Sequence, residues 1–174
     1  MEASYKANQQ NIERLIKVTR SWLPDSTGFF VEYSKHGKLT DWGVSSKQEV
    51  NFHGVEIGSQ KEQEKELRKI GLSLERLDSV RLALLKMGYR GLSISRGGAV
   101  SNYTEIVYGK TGNKEFNYRI YDKPLTDSLV YKLNQRYNLI VYNRYVVFSC
   151  VEDFDYDSPF PGKYAYLQKH TLSK

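Results

Sequence analysis

The segment spanning residues 116–150, FNYRIYDKPLTDSLVYKLNQRYNLIVYNRYVVFSC, constrains the fold more than any other part of the chain. It reads as strand, helix, hairpin. Leu125 precedes a helix N-cap, Thr126, and Val130 one turn in completes a hydrophobic staple. That helix runs to about Arg136 and is expected to bury Leu129 and Leu133. Asn143-Arg144 then forms a two-residue turn between apolar runs, because asparagine tolerates positive φ. Eleven of the fourteen tyrosines fall between Tyr103 and Tyr166. Tyrosine suits a half-buried sheet, where the ring packs and the hydroxyl reaches water or a partner.

The remaining chain alternates between helical and strand periods. Ile12, Leu15, Ile16, Thr19 and Leu23 predict a first helix over 5–22 that stops at Pro24-Asp25, while the polar first ten residues fray or lead back to something upstream. Phe29, Val31 and Tyr33 alternate with polar neighbours, and His36-Gly37 turns the chain into a strand through Leu39, Trp42 and Val44. A looser third strand covers 50–57. A mixed-charge helix over 59–70 presents Leu67 and Ile70 and ends at Gly71. The helix over 73–87 carries an N-cap at Ser73, a staple of Leu72 with Leu77, a stripe of Leu77, Val80, Leu84 and Leu85, and a C-terminal Gly88. Strands follow over 91–96, 103–108 and 116–121, with turns at Gly97-Gly98 and over 109–114. Residues 151–174 read mostly as loop, with one short strand over 164–167. Strand groups joined by short turns, with helices inserted between them, predict a single α+β domain over residues 1–174. Its sheet is largely antiparallel, with about four helices packed mainly on one face.

Composition narrows the function classes without naming one. At 174 residues, 40% hydrophobic and 26% charged, the chain can bury its own core. The net charge of +6 is scattered and reads as a solvated basic surface. A lone cysteine, Cys150, excludes an internal disulfide and sits at the end of an apolar strand as a small hydrophobe. No apolar run approaches a membrane span and no signal peptide is visible, so a cytoplasmic location is expected, or the envelope if an anchor precedes Met1.

Chemistry-bearing patterns are tested against what their reactions require. Gly109-Lys110-Thr111 lacks the glycine five residues earlier that a phosphate loop needs, since position 104 is threonine. Asp153, Asp155 and Asp157 alternate and could meet a hard cation. A calcium loop, however, wants glycine and glutamate where Ser158 and Tyr164 stand. His36, His53 and His170 share no ligand spacing. Carboxylates such as Glu32 and Glu56 have no placement from sequence. No cofactor is expected, and an enzyme would need a site gathered from dispersed residues. Nucleic acid is disfavoured, because basic residues do not cluster beside the tyrosines.

The remaining candidate is a protein-binding surface. Alternation along the strand after residue 115 puts Phe116, Tyr118 and Ile120 on one face, and Asn117, Arg119 and Tyr121 on the other. Outward Arg and Tyr anchor interfaces, so Asn117, Arg119 and Tyr121, with Arg144 at the turn, form the candidate site. The junction Tyr-x-Ile-x-Asp-Lys-Pro-Leu at 118–125, and the later Tyr142-Asn143 leading to Val146-Val147-Phe148, resemble a group of small uncharacterised proteins of Bacteroides-type bacteria over roughly the C-terminal half. That resemblance implies a fold and an envelope setting, and it implies no activity. The expectation is a non-enzymatic binding domain for a protein partner, in one version an immunity-type protein that neutralises a toxin. A ligand-binding domain of the envelope, its N-terminal anchor removed, is the alternative.

Overall fold

The computed structural model of the chain describes residues 1–25, 27–45, 50–54, 60–95, 102–152 and 156–171. The elements are α1 (Glu2–Trp22), β1 (Gly28–Tyr33), β2 (Leu39–Ser45), β3 (Val50–Gly54), α2 (Gln60–Lys69) and α3 (Leu74–Met87). They continue with β4 (Gly91–Ser95), β5 (Tyr103–Thr111), β6 (Lys114–Tyr121), α4 (Asp127–Gln135), β7 (Leu139–Asn143), β8 (Val146–Glu152), β9 (Tyr156–Asp157) and α5 (Lys163–Thr171). The strands form one antiparallel sheet in the order β3-β2-β1-β4-β5-β6-β8-β7, with β9 on β8. This is the α+β architecture expected, with five helices among the described residues where about four were expected.

Strand register explains how the core assembles. Trp42, Val31, Leu92, Ile106, Tyr118, Phe148 and Ile140 pair one to the next across seven strands, so they form a single transverse row on one face. All seven are buried, and α1, α2, α3 and α5 lie over that face. Gly91 belongs where two strand groups meet. A Cβ there would lie 2.9 Å from the Val31 carbonyl and 2.9 Å from Val107, closer than real side chains come. The other face is covered at its β7 end by α4, where Leu129, Val130 and Leu133 pack on Tyr121, Leu125, Leu139 and Val147.

Tyr118 is the hub of the main core. Its ring lies 5.5–5.7 Å from those of Tyr5, Tyr89, Tyr108 and Phe148. Its hydroxyl donates to the Met1 carbonyl at 3.0 Å, and the Tyr89 hydroxyl sits 3.1 Å from the Ser4 carbonyl. Burial pushes the Tyr5 hydroxyl up to about 12, and that of Tyr118 higher still, so both rings stay neutral. At the far end of α1, Arg20 pairs with Asp122 and donates to the Thr104 hydroxyl at 2.6 Å. The first ten residues, polar as they read, carry helix from Glu2, and Tyr5 is buried against the sheet.

Most local readings hold. The Ser73 hydroxyl accepts the Arg76 amide, Gly88 adopts the left-handed conformation at φ 76, and Leu72 and Leu77 are both buried. Within α3, Met87 rather than Leu85 completes the buried stripe. The β5–β6 turn is tighter than expected, at Gly112-Asn113, because the strands run on past a bulge between Val107 and Gly109. The β7–β8 turn sits at Arg144-Tyr145, where the Asn143 side chain accepts the Tyr145 amide. In α4, Leu129 and Leu133 are only half-buried.

The tail departs from expectation. Residues 164–167 are helical, within α5, and not a strand; β8 and β9 also take up part of what read as loop. Alternating Tyr164 and Tyr166 suggest period two, but Lys163, Tyr166 and Leu167 make the inner side at helical spacing while Tyr164 is exposed. Lys163 fixes the start of α5 by donating to the Asn134 carbonyl at 2.7 Å and to the Arg136 carbonyl, which caps α4 in the same contact. The turn at Gly97-Gly98 and the strand end beyond Gly54 lie outside the described residues.

Two substitutions test this account by urea unfolding. Tyr118→Phe removes one buried hydroxyl and is expected to cost about 1 kcal/mol, whereas Tyr118→Ala also opens the aromatic hub and costs about 3–5 kcal/mol. Ser73→Ala removes the α3 cap and is expected to cost about 1 kcal/mol.

Candidate functional site

Asn117, Arg119 and Tyr121 share a sheet face, as alternation requires, but that face is not open to solvent there. Asn117 and Tyr121 are buried, because α4 and long neighbouring side chains close over β6. The expectation of an outward, wet set is therefore corrected at two of its three strand residues. Arg119 pairs with Glu105 at 3.5 Å and lies 5.8 Å from the Tyr103 ring centre, and Tyr103 in turn packs on Tyr121 at 5.5 Å. Burial works against the Arg119 charge, but Glu105 with Tyr103 and Tyr121 outweighs it and holds its pKa above the usual arginine value. Arg144 stands apart at the hairpin turn, bonded to the Leu125 carbonyl at 3.0 Å and to Asp127 at 2.6 Å. It braces the entry to α4 and does not join the other three.

Further along the same face runs a chain of charges. Arg90 and Lys110 both approach Glu32, at 3.9 Å and 3.8 Å, and Lys110 also reaches Glu115 at 3.2 Å. Glu115 accepts from the Asn117 amide at 3.0 Å. Burial lifts the Glu32 carboxyl above its ordinary range, with Glu115 and Asp41 adding to it, and this outweighs Lys110 and Arg90. The arrangement is a structural ionic lattice bridging β1, β5 and β6, with no nucleophile or histidine in it.

Concave surfaces lie elsewhere. The first is a groove of about 420 Å³ between α1 and α3, with Leu15, Val18, Trp22, Val80, Ala83 and Met87 along its apolar walls. Its polar lining among the described residues is Asn11, Ser79, Arg14 and Lys86, with no carboxylate. The Arg76 guanidinium sits 5.2 Å from the Trp22 ring centre at one end. Val18 is 40% exposed, and Leu82 on α3 is 55% exposed, so both helices carry apolar residues beyond the stripe that packs on the sheet. Sequence reasoning passed over this groove; the signal was Val18 and Ala83 widening the apolar arcs of two helices.

A second cavity, of about 410 Å³, opens beside α5 and is walled by aromatic side chains including Tyr108, Phe116, Phe148, Phe160 and Tyr166. A third, more polar groove of about 710 Å³ runs along β7 and takes in Arg144, Asp127, Lys6 and Tyr142. It shares Glu2 and Tyr166 with the aromatic cavity. The edge of β7 is unsuited to accept an added strand. The Val141 amide is taken by the Asn134 side chain at 3.0 Å and the Leu139 amide by the Arg136 carbonyl at 3.2 Å.

Catalytic chemistry finds little to work with among the described residues. Cys150 is fully buried and its thiol is pushed up by burial, which disfavours the reactive thiolate. His36 is exposed at the β1–β2 turn. No group of three His, Cys, Asp or Glu side chains is placed to hold a metal among the described residues. Asp153 and Asp155 lie outside them, as do Glu56 and the side chains of Asp157, His53 and His170. No described helix is long and apolar enough to cross a membrane.

The raised carboxyl of Glu32 gives a pH dependence with a definite sign. The native state holds its proton at a pH where the unfolded chain has released it, so this group lowers stability as pH rises from the ordinary carboxylate value through the native one. Glu32→Gln is expected to remove that loss, raising the urea midpoint at pH 7 relative to wild type while leaving it nearly unchanged at pH 3. No family model matches the chain, and no curated protein or solved structure is significantly similar to it.

Proposed function

We propose that this protein is a binding domain without catalysis of its own, and that it engages another protein by seating an acidic amphipathic helix in the α1–α3 groove. The observation that carries this reading is the groove's composition. An apolar floor is bordered by Arg14 and Lys86, with Arg76 at the Trp22 end, and among the described residues no carboxylate lines it. An amphipathic helix offers the matching pattern, apolar anchors at i, i+3, i+4 and i+7 flanked by charge. Cations on the rim select acidic flanks and repel basic ones, and they act more on encounter and selectivity than on raw affinity. The blocked β7 edge disfavours strand addition at that end of the sheet. An immunity-type role, in which such docking covers and neutralises a partner, is a concrete form of this proposal.

A ligand-binding domain is the second reading, and the aromatic-walled cavity beside α5 is the observation that favours it.

The protein-binding reading is tested with a labelled helical peptide carrying leucines on one face and glutamates on the other, beside its lysine counterpart, by fluorescence anisotropy. The acidic peptide is expected to bind at least about tenfold more tightly than the basic one, with a preference that fades at high salt. Arg14 and Lys86 are exposed, so the double variant Arg14→Glu, Lys86→Glu should keep its thermal midpoint and invert the preference. Equal binding of the two peptides, or indifference to the double variant, would overturn the proposal.

A further inference from the structure

We infer that the cavity beside α5 is a site for a quaternary ammonium ion, held by aromatic faces and by the Glu2 carboxylate. Among the described residues five rings wall it, those of Tyr108, Phe116, Phe148, Phe160 and Tyr166, and Glu2 is the charged side chain of that lining, with Met1 next to it. Phe116 and Phe160 meet edge to face, with centres 5.8 Å apart and planes at 77°, so two walls stand nearly at right angles. Phe148, 2% exposed, closes the bottom, while Tyr108, Phe116, Phe160 and Tyr166 are half-buried around it.

Aromatic faces carry a negative quadrupole and attract a cation without supplying the acceptors that a primary ammonium needs in place of water. A nitrogen clothed in methyl groups loses less on leaving water than a primary ammonium does and presents a positive surface to several rings at once. A neutral apolar ligand would fit the same rings but would gain nothing from Glu2. Burial, with Glu2 nearby, pushes the Tyr166 hydroxyl up to about 12, so the ring stays neutral and the carboxylate supplies the anionic charge. Glu2 pairs with Lys6 at 2.7 Å, and Lys6 lines the adjoining β7 groove rather than the cavity. A bound cation therefore competes with Lys6 for that carboxylate.

This inference rests on the ligand-binding reading and shares no lining residue with the α1–α3 groove. It is tested by NMR titration with tetramethylammonium and choline, against 3,3-dimethylbutanol as the neutral isostere. Both cations are expected to saturate with upfield ring-current shifts of their methyl protons and to bind at least about tenfold more tightly than the alcohol. Glu2→Gln should weaken the cations and leave the alcohol unchanged, Lys6→Ala should tighten the cations, and Phe160→Leu should weaken all three. If Phe160→Leu perturbs the circular dichroism spectrum, the Glu2 and Lys6 variants still decide, since neither side chain is buried in the core. Equal binding of alcohol and cations would overturn the cation assignment while leaving a ligand site. Absence of binding by every probe would overturn both.

Discussion

The burial of Tyr118 organises the molecule. A fully buried phenol must satisfy its hydroxyl, and this one does so with the Met1 carbonyl, at the very start of α1. Together with the Tyr89 hydroxyl on the Ser4 carbonyl, that bond ties the first turn of the helix to the sheet. The surrounding rings of Tyr5, Tyr89, Tyr108 and Phe148 then fill the space between them. Arg20, bound to Asp122 and Thr104, fixes the other end of the same helix. With α1 held at both ends, α3 packs beside it, and the shallow furrow between them follows from helix geometry rather than from any local irregularity.

The two sheet faces solve different problems. One buries an uninterrupted apolar row under four helices. The other mixes a small apolar cluster under α4 with a lattice of paired charges in front of β1 and β5. Half-buried pairs of this sort contribute little net stability, because desolvation opposes their attraction. Their effect is to hold register, since shifting β6 by one residue would place Arg119 and Glu115 against the aromatic core.

The elements legible in the sequence were those whose signals are local. Ser73 and Gly88 bracket α3 as their chemistry demands, and alternation along β6 separates Tyr118 from Asn117 and Arg119 correctly. What period-two reading does not contain is what covers a face: α4 packs over Tyr121, and Asn117 is buried with its side chain bonded to Glu115, so both passed for wet residues. The tail fails for a related reason. Tyr164 and Tyr166 fit either period over so short a run, and the contact that decides, Lys163 on the end of α4, joins segments 27 and 29 residues apart. The polar start of α1 hid its importance because one ring, Tyr5, does the anchoring. The candidate site was legible only in part: Arg119 and Arg144 are where alternation and the turn put them, but they brace the fold in separate places.

The strand order carries a consequence for how the chain comes together. β1-β2-β3, β4-β5-β6 and β7-β8-β9 are each joined in sequence to their own neighbours, while β1·β4 and β6·β8 are seams between these three groups. Each group forms from nearby residues at small entropic cost, whereas a seam must first close the loop that holds a helix-bearing segment. Gly91 lies in one seam and the Tyr118–Phe148 pair in the other. The close backbone approach and the aromatic hub thus sit at the joints between groups, where closing the loops costs the most chain entropy.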